Sequence, residues 1–172
     1  MINYMRLAHQ FKVPIPSIKA IQLVESAGAG FDPVTGKIKI QFEPSWFKRL
    51  TGLIVLNKVD IQKKEWEAFN LAFSKNPNKA MESTSWGSMQ VMGFHWKRLG
   101  FASVGGMVDF AKESEENQLW LGLQFIRTDN RLYKALLDKD WKKVACYYNG
   151  AGYAINRYDK KLEQAEIKFR IL

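Results

Sequence analysis

Residues 18–25, IKAIQLVE, constrain the fold more than any other stretch of the chain. Ile18, Ala20, Ile21, Leu23 and Val24 leave almost no polar face, so a helix here must be buried on nearly every side. Ser17 stands before it as a candidate N-cap, behind Pro14 and Pro16, which break the preceding segment. Glu25 arrives in the last turn, and Gly28 and Gly30 supply the stop. A carboxylate in that setting is disfavoured as an anion, both by apolar neighbours and by the negative end of the helix dipole. Such a glutamate keeps its proton near neutral pH and suits general acid work. The plainer alternative is a solvated glutamate at a helix end.

A turn at residues 33–36 leads into a strand pattern over 37–43. Ile38, Ile40 and Phe42 fall on one face and Lys37, Lys39, Gln41 and Glu43 on the other. The implied hairpin folds its polar face, with Glu43, towards Glu25; a solvated edge strand is the other reading. Helical patterns occupy residues 3–12, 44–50 and 65–74. The stretch STSWGSMQVMG at 83–93 reads as a helix whose small residues pack closely on a neighbour, with Gln90 offering both a donor and an acceptor. Glu82 just before it is a further carboxylate, read as solvated. From Ser103 onward helices are expected at 104–112, 114–129 and 140–148. A Gly-rich turn, NGAGY, follows at 149–153. The closing basic segment, 155–172, reads as a solvated amphipathic helix that could alternatively meet an anionic membrane surface.

The 172 residues carry no repeat or low-complexity linker, so one domain over 1–172 is expected, helix-rich with a small hairpin, an α+β arrangement. A net charge of +9 calls for an anionic partner. Zinc spacings, RNA-recognition signatures and basic helices are absent from the sequence, which argues against nucleic acid and leaves an anionic cell envelope. The single cysteine, Cys146, excludes an internal disulfide and lies in an apolar run typical of a core residue. Only His9 and His95 represent histidine, in no metal-ligand spacing, so neither metal nor cofactor is expected. The N-terminus has no apolar signal region. Synthesis as a soluble cytoplasmic protein is therefore expected, as a monomer, with release by a holin or a secretion apparatus.

Three separated motifs occur in order: Glu25-Ser26, then Ser85-Trp86-Gly87-Ser88-Met89-Gln90-Val91-Met92-Gly93, then Tyr148-Asn149-Gly150-Ala151-Gly152-Tyr153. Together they resemble the lysozyme-like superfamily of lytic transglycosylases and goose-type lysozymes. More closely, the chain is similar to the N-acetylmuramidase domain of phage endolysins, in which a lysine-bearing hairpin ending in Phe-Glu also recurs. The resemblance implies a lysozyme-like fold and cleavage of the β-1,4 bond between N-acetylmuramic acid and N-acetylglucosamine in peptidoglycan. It implies Glu25 as catalytic acid and Glu43, in preference to Asp32 or Glu82, as the second carboxylate. Ser85, Met89 and Gln90 match positions lining the sugar cleft, and Tyr148, Asn149 and Tyr153 match the turn near the glutamate. The chain has Ala27 where relatives carry Gly, and Pro44-Ser45-Trp46 where many carry a basic or histidine residue. Alternatives are a lytic transglycosylase, which needs no second carboxylate, and a binding-only wall module.

Overall fold

The computed structural model describes residues 1–25, 28–57 and 61–171. Ser26 and Ala27 of the first motif lie outside the described residues. The chain opens with α1 (Tyr4–Phe11), capped by the Asn3 side chain on the Arg6 N–H, and passes directly into α2 (Ile15–Glu25). That helix starts earlier than the sequence suggests. Pro16 sits in its first turn, where no backbone N–H is needed, so Ser17 is not a cap but a buried residue inside the helix. Ile18, Ala20 and Ile21 are buried as expected, while Leu23 reaches the surface.

The hairpin is closed by a bridge between Phe31 and Ile38, and Asp32 binds the turn through the Val34 and Thr35 N–H groups. Strand β1 (Ile40–Phe42) follows. Ile38, Ile40 and Phe42 are all buried, so the alternation holds. Helices α3 (Pro44–Thr51), α4 (Gln62–Lys75) and α5 (Pro77–Glu82) come next. Asn76 ends α4 and caps α5 with its side chain, so the Asn-Pro-Asn sequence starts a second helix as well as stopping the first.

Residues 83–93 are not a helix. They form β2 (Thr84–Trp86), a tight turn, and β3 (Val91–Met92), making a three-stranded antiparallel sheet in the order β1-β2-β3. Thr84, Ser85 and Trp86 are buried, so neither face of β2 shows the polar alternation that would reveal a strand. Gln41 pairs with Ser85, and Ser85 in turn with Met92. The outer edge of β1 is covered by side chains of α4. The Gln62 amide accepts from Ile40 N at 2.9 Å and donates to Ile40 O at 2.8 Å, and Glu65 accepts from Phe42 N at 2.7 Å. These bonds imitate a fourth strand and fix β1 from both sides, a protected edge. Gln41, between the two clamped residues, points its side chain outward.

Helices α6 (Val104–Glu113), α7 (Glu115–Arg127), α8 (Asn130–Leu137), α9 (Trp141–Asn149) and α10 (Tyr158–Ile171) complete the chain. Side chains of Ser103, Ser114, Asp129 and Asp140 cap the first four in turn. The closing helix is not merely solvated. It packs along α2 more extensively than any other pair of elements meets, and it also packs on α9. Leu162 and Ala165 are buried there, and buried Glu166 is held by Lys139 at 2.8 Å and by Arg170. Thus α10 braces the two helices whose ends, described next, carry the central carboxylate and its partner. Among the described residues no helix is long and apolar enough to cross a membrane.

Candidate active site

Two helix C-termini meet at one point. Glu25 is the last residue of α2 and Asn149 the last of α9, and Asn149 Nδ2 donates to Glu25 Oε1 at 3.0 Å. Gly150 turns the chain away immediately afterwards with φ +78°. Burial pushes the Glu25 carboxyl above its ordinary value, against the smaller opposing pull of the Asn149 hydrogen bond. The carbonyl end of α2 acts in the same direction as burial.

Glu25 lies in a cleft of about 500 Å³, within the size range of small-molecule and saccharide sites. Val24 and Glu25 form one side, the segment from Met89 to Met92 the floor, and Gln41 of β1 the sheet side. His95, Phe125, Tyr148, Asn149 and Tyr158 complete it. The Tyr148 hydroxyl donates to Met89 O at 3.3 Å, and its ring packs edge-on against Phe125. Burial, and secondarily the charge of Glu25, push that phenol well above its usual range, so it stays a neutral hydroxyl. His95, between the rings of Phe94 and Phe125, is lowered to about 4 by burial and by the charge of Arg98. It is uncharged at neutral pH.

The floor is shaped by a residue that the sequence reading did not single out. Gln118 of α7 is completely buried; its Oε1 accepts from Ser88 N at 2.8 Å and its Nε2 donates to Ala111 O at 3.1 Å. Gly87, with φ +69°, must lack a Cβ, because one would stand 2.5 Å from the Gln118 side chain. Gln90, with φ 48°, closes the same turn by donating from Nε2 to Gly87 O at 2.7 Å. Holding a non-glycine residue in the left-handed region is a small strain that the surrounding bonds sustain.

Of the residues singled out from the sequence, Glu25, Met89, Gln90, Tyr148 and Asn149 come together in the cleft. Ser85 is buried one pleat away, its hydroxyl donating to Met92 Sδ at 2.9 Å. Tyr153 sits in a 3-10 turn, Ala151–Ala154, partly buried against the core, and is not among the residues lining the cleft. Glu43 starts α3 two residues beyond Gln41, with its N–H on Ser83 O, and is half-buried. Burial, and then the negative charge of Glu65, raise its carboxyl above the ordinary value. It is not among the residues lining the cleft. Asp32 is partly exposed and held below its usual range, chiefly by hydrogen bonds from Thr35. Glu82 is not solvated, being paired with Lys79 at 2.7 Å and accepting from Trp96 Nε1 at 3.1 Å. The sequence reading missed Gln41, His95, Phe125 and Tyr158 as cleft residues. Only Gln41 had a signal, its place on the polar face of the strand. Among the described residues no three His, Cys, Asp or Glu side chains gather into a metal-ligating group. Cys146 is free and half-buried.

The crystal structure of the Burkholderia AP3 phage endolysin is similar to the chain, with a TM-score of 0.90 and 36% identity over 97% of this chain and 68% of that one. No curated protein matches. The fold is lysozyme-like. The sequence profile of the N-acetylmuramidase family matches residues 14–60 and 56–170. On that match, and with Glu25 set in its cleft, the chain belongs to the N-acetylmuramidase family.

Proposed function

We propose that the protein is a peptidoglycan hydrolase that cleaves the β-1,4 bond between N-acetylmuramic acid and N-acetylglucosamine, with Glu25 as general acid. The observation that carries this reading is the Glu25 carboxyl itself: cleft-lining, raised by burial and held in one orientation by Asn149. With Oε1 accepting from Asn149, the proton resides on Oε2, free to pass to the leaving glycosidic oxygen. The neutral Tyr148 hydroxyl and uncharged His95 add no competing charge near the oxocarbenium-like transition state. Once Glu25 is ionised by the transfer, Asn149 stabilises the carboxylate. Gln90, Gln41 and the aromatic rings of Phe125, Tyr148 and Tyr158 suit the polar edges and apolar faces of acetylated sugars.

Glu43 is the second carboxylate of this proposal, activating water or stabilising charge. Its support is its place two residues past Gln41, which returns to the same strand face, together with its raised carboxyl. Ser85 and Tyr153 act from behind the cleft wall, bracing Met92 and the turn after Asn149. The family match running to residue 170 supports one catalytic domain over the whole chain. Exposed Lys160, Lys161 and Lys168 on α10 would draw this basic monomer to the anionic envelope.

One observation favours a second reading. Glu25 is the one Asp or Glu among the described residues that line the cleft, and a lytic transglycosylase needs only one. Mass spectrometry of digested peptidoglycan separates the two. Reducing-end muramic acid is expected from hydrolysis, and 1,6-anhydro ends would establish the transglycosylase. A protein that releases neither overturns the enzyme reading.

A further inference from the structure

A second cavity, of about 470 Å³, lies against another face of α2, beside Ser88, one residue before Met89 of the cleft floor. Two opposite charges line it. Lys19 Nζ is 5.1 Å from the Tyr4 ring centroid and 5.7 Å from that of Phe169. Glu115 Oε1 accepts from Gly30 N at 2.8 Å. Among the described residues neither has an oppositely charged partner, and they do not pair with each other, although both face one space. Long side chains of opposite sign normally close on one another when nothing restrains them. Here the rings hold the ammonium and a backbone N–H holds the carboxylate, so the charges stay apart. Ser88 belongs to the same lining, and its hydroxyl is buried without a hydrogen-bond partner. A buried orphan hydroxyl in a native fold asks for an explanation, and a ligand supplies one.

We infer that this cavity is a stem-peptide subsite that takes a zwitterionic amino-acid head. Its carboxylate meets Lys19 and Ser88, and its ammonium meets Glu115. The inference rests on the muramidase reading for the identity of the substrate. A peptide stem hangs from the muramic acid of peptidoglycan, and where its third residue is a diamino diacid such as diaminopimelate it carries a free ammonium and carboxylate on one carbon. An extended peptide covers roughly 3.3–3.6 Å per residue, so three residues span about 10 Å, the width of one helix. Lys19 stands six residues before Glu25 in α2, about 9 Å back along the helix axis, so a stem whose sugar lies beside Glu25 runs back along α2 and brings the side chain of its third residue to Lys19.

The test is an NMR titration of the full-length Glu25→Gln protein with the tripeptide alanyl-γ-glutamyl-diaminopimelate, and with the same tripeptide bearing lysine, which has the ammonium but lacks the second carboxylate. Shifts centred on Lys19, Ser88 and Glu115 are expected, with at least tenfold tighter binding of the diaminopimelate form. Lys19→Met and Glu115→Gln should each weaken that binding tenfold or more while leaving the amide spectrum of the fold intact, and Lys19→Arg should restore part of it. Equal affinity for the two tripeptides, shifts elsewhere, or a Lys19→Met protein that binds as before would overturn the subsite. No bond is cleaved in this experiment, so its failure leaves the glycosidase reading standing. A wild-type protein that leaves purified glycan intact would sink that reading without touching the binding result.

Discussion

Replacing Gly30 by alanine should destabilise the protein through one contact. A Cβ at residue 30 would stand 1.7 Å from Gln118 Oε1, and Gly30 is not in the left-handed region, so backbone strain plays no part. The amide of Gln118 would have to move, and with it the bonds to Ser88 N at 2.8 Å and Ala111 O at 3.1 Å. Overpacking a filled site costs roughly 1–3 kcal/mol, and stranding a buried N–H costs about 1–3 kcal/mol more. A loss of about 3 kcal/mol is expected for Gly30→Ala. Gln118→Ala should cost about 2–4 kcal/mol, by leaving the same two backbone groups unpaired. The informative quantity is their coupling. With Gln118 cut back to alanine, the space beside residue 30 opens, and Gly30→Ala should then cost less than about 0.5 kcal/mol or stabilise slightly by restricting the unfolded chain. Urea unfolding of the four proteins, followed by tryptophan fluorescence, measures the cycle. If Gly30→Ala costs the same in both backgrounds, the account of Gln118 as the buried peg beneath the cleft floor is wrong.

Three further outcomes are expected. The folded Glu25 carboxyl lies above its ordinary value of 4.5, so its contribution to stability is complete below that pH and is lost as pH rises through the raised value. Glu25→Gln should therefore gain thermal stability over wild type at about pH 8 relative to about pH 4, and a constant or reversed difference would contradict the burial argument. His95 is lowered to about 4, so His95→Gln should remove no inflection from the pH–rate profile between about pH 5.5 and 8; loss of one near the ordinary histidine value would show that His95 titrates in the active protein. Glu43→Gln should reduce the initial rate of wall lysis by less than Glu25→Gln does, and an unchanged rate would leave Glu25 as the sole working carboxylate and favour transglycosylase chemistry.

The elements legible in the sequence were those with strong local signals. Ser103, Ser114 and Asp140 mark helix starts because their side chains cap free N–H groups, and the alternation of Ile38, Ile40 and Phe42 marks a strand because only one face is buried. Residues 83–93 were misread because β2 is buried on both faces and its turn combines two left-handed residues, Gly87 and Gln90, that no periodicity encodes. The weight that α10 carries was hidden for a similar reason. Its buried stripe of Leu162, Ala165 and Glu166 includes a charge, and that charge is made tolerable only by Lys139 from a distant loop and Arg170. In the site, the ends of α2 and α9 could be read as special from Glu25 and the asparagine-glycine turn. Their meeting across more than a hundred residues could not be read from either alone. Gln118 carried no signal at all, since α7 also holds Gln124 and nothing local separates a buried glutamine from a solvated one until the close approach of Gly30 and Gly87 to Gln118 is seen.

The claim on which the rest depends is that Glu25 delivers the proton. Release of soluble muropeptides from purified peptidoglycan, measured for wild type and Glu25→Gln at equal folded concentration, tests it most directly. The amide keeps the size of the side chain and the carbonyl that accepts from Asn149 but has no acidic proton. General acid catalysis contributes roughly 10²–10⁴-fold, so the variant should retain less than about a hundredth of the wild-type rate with its fold intact. A variant releasing muropeptides at more than about half the wild-type rate would contradict the assignment.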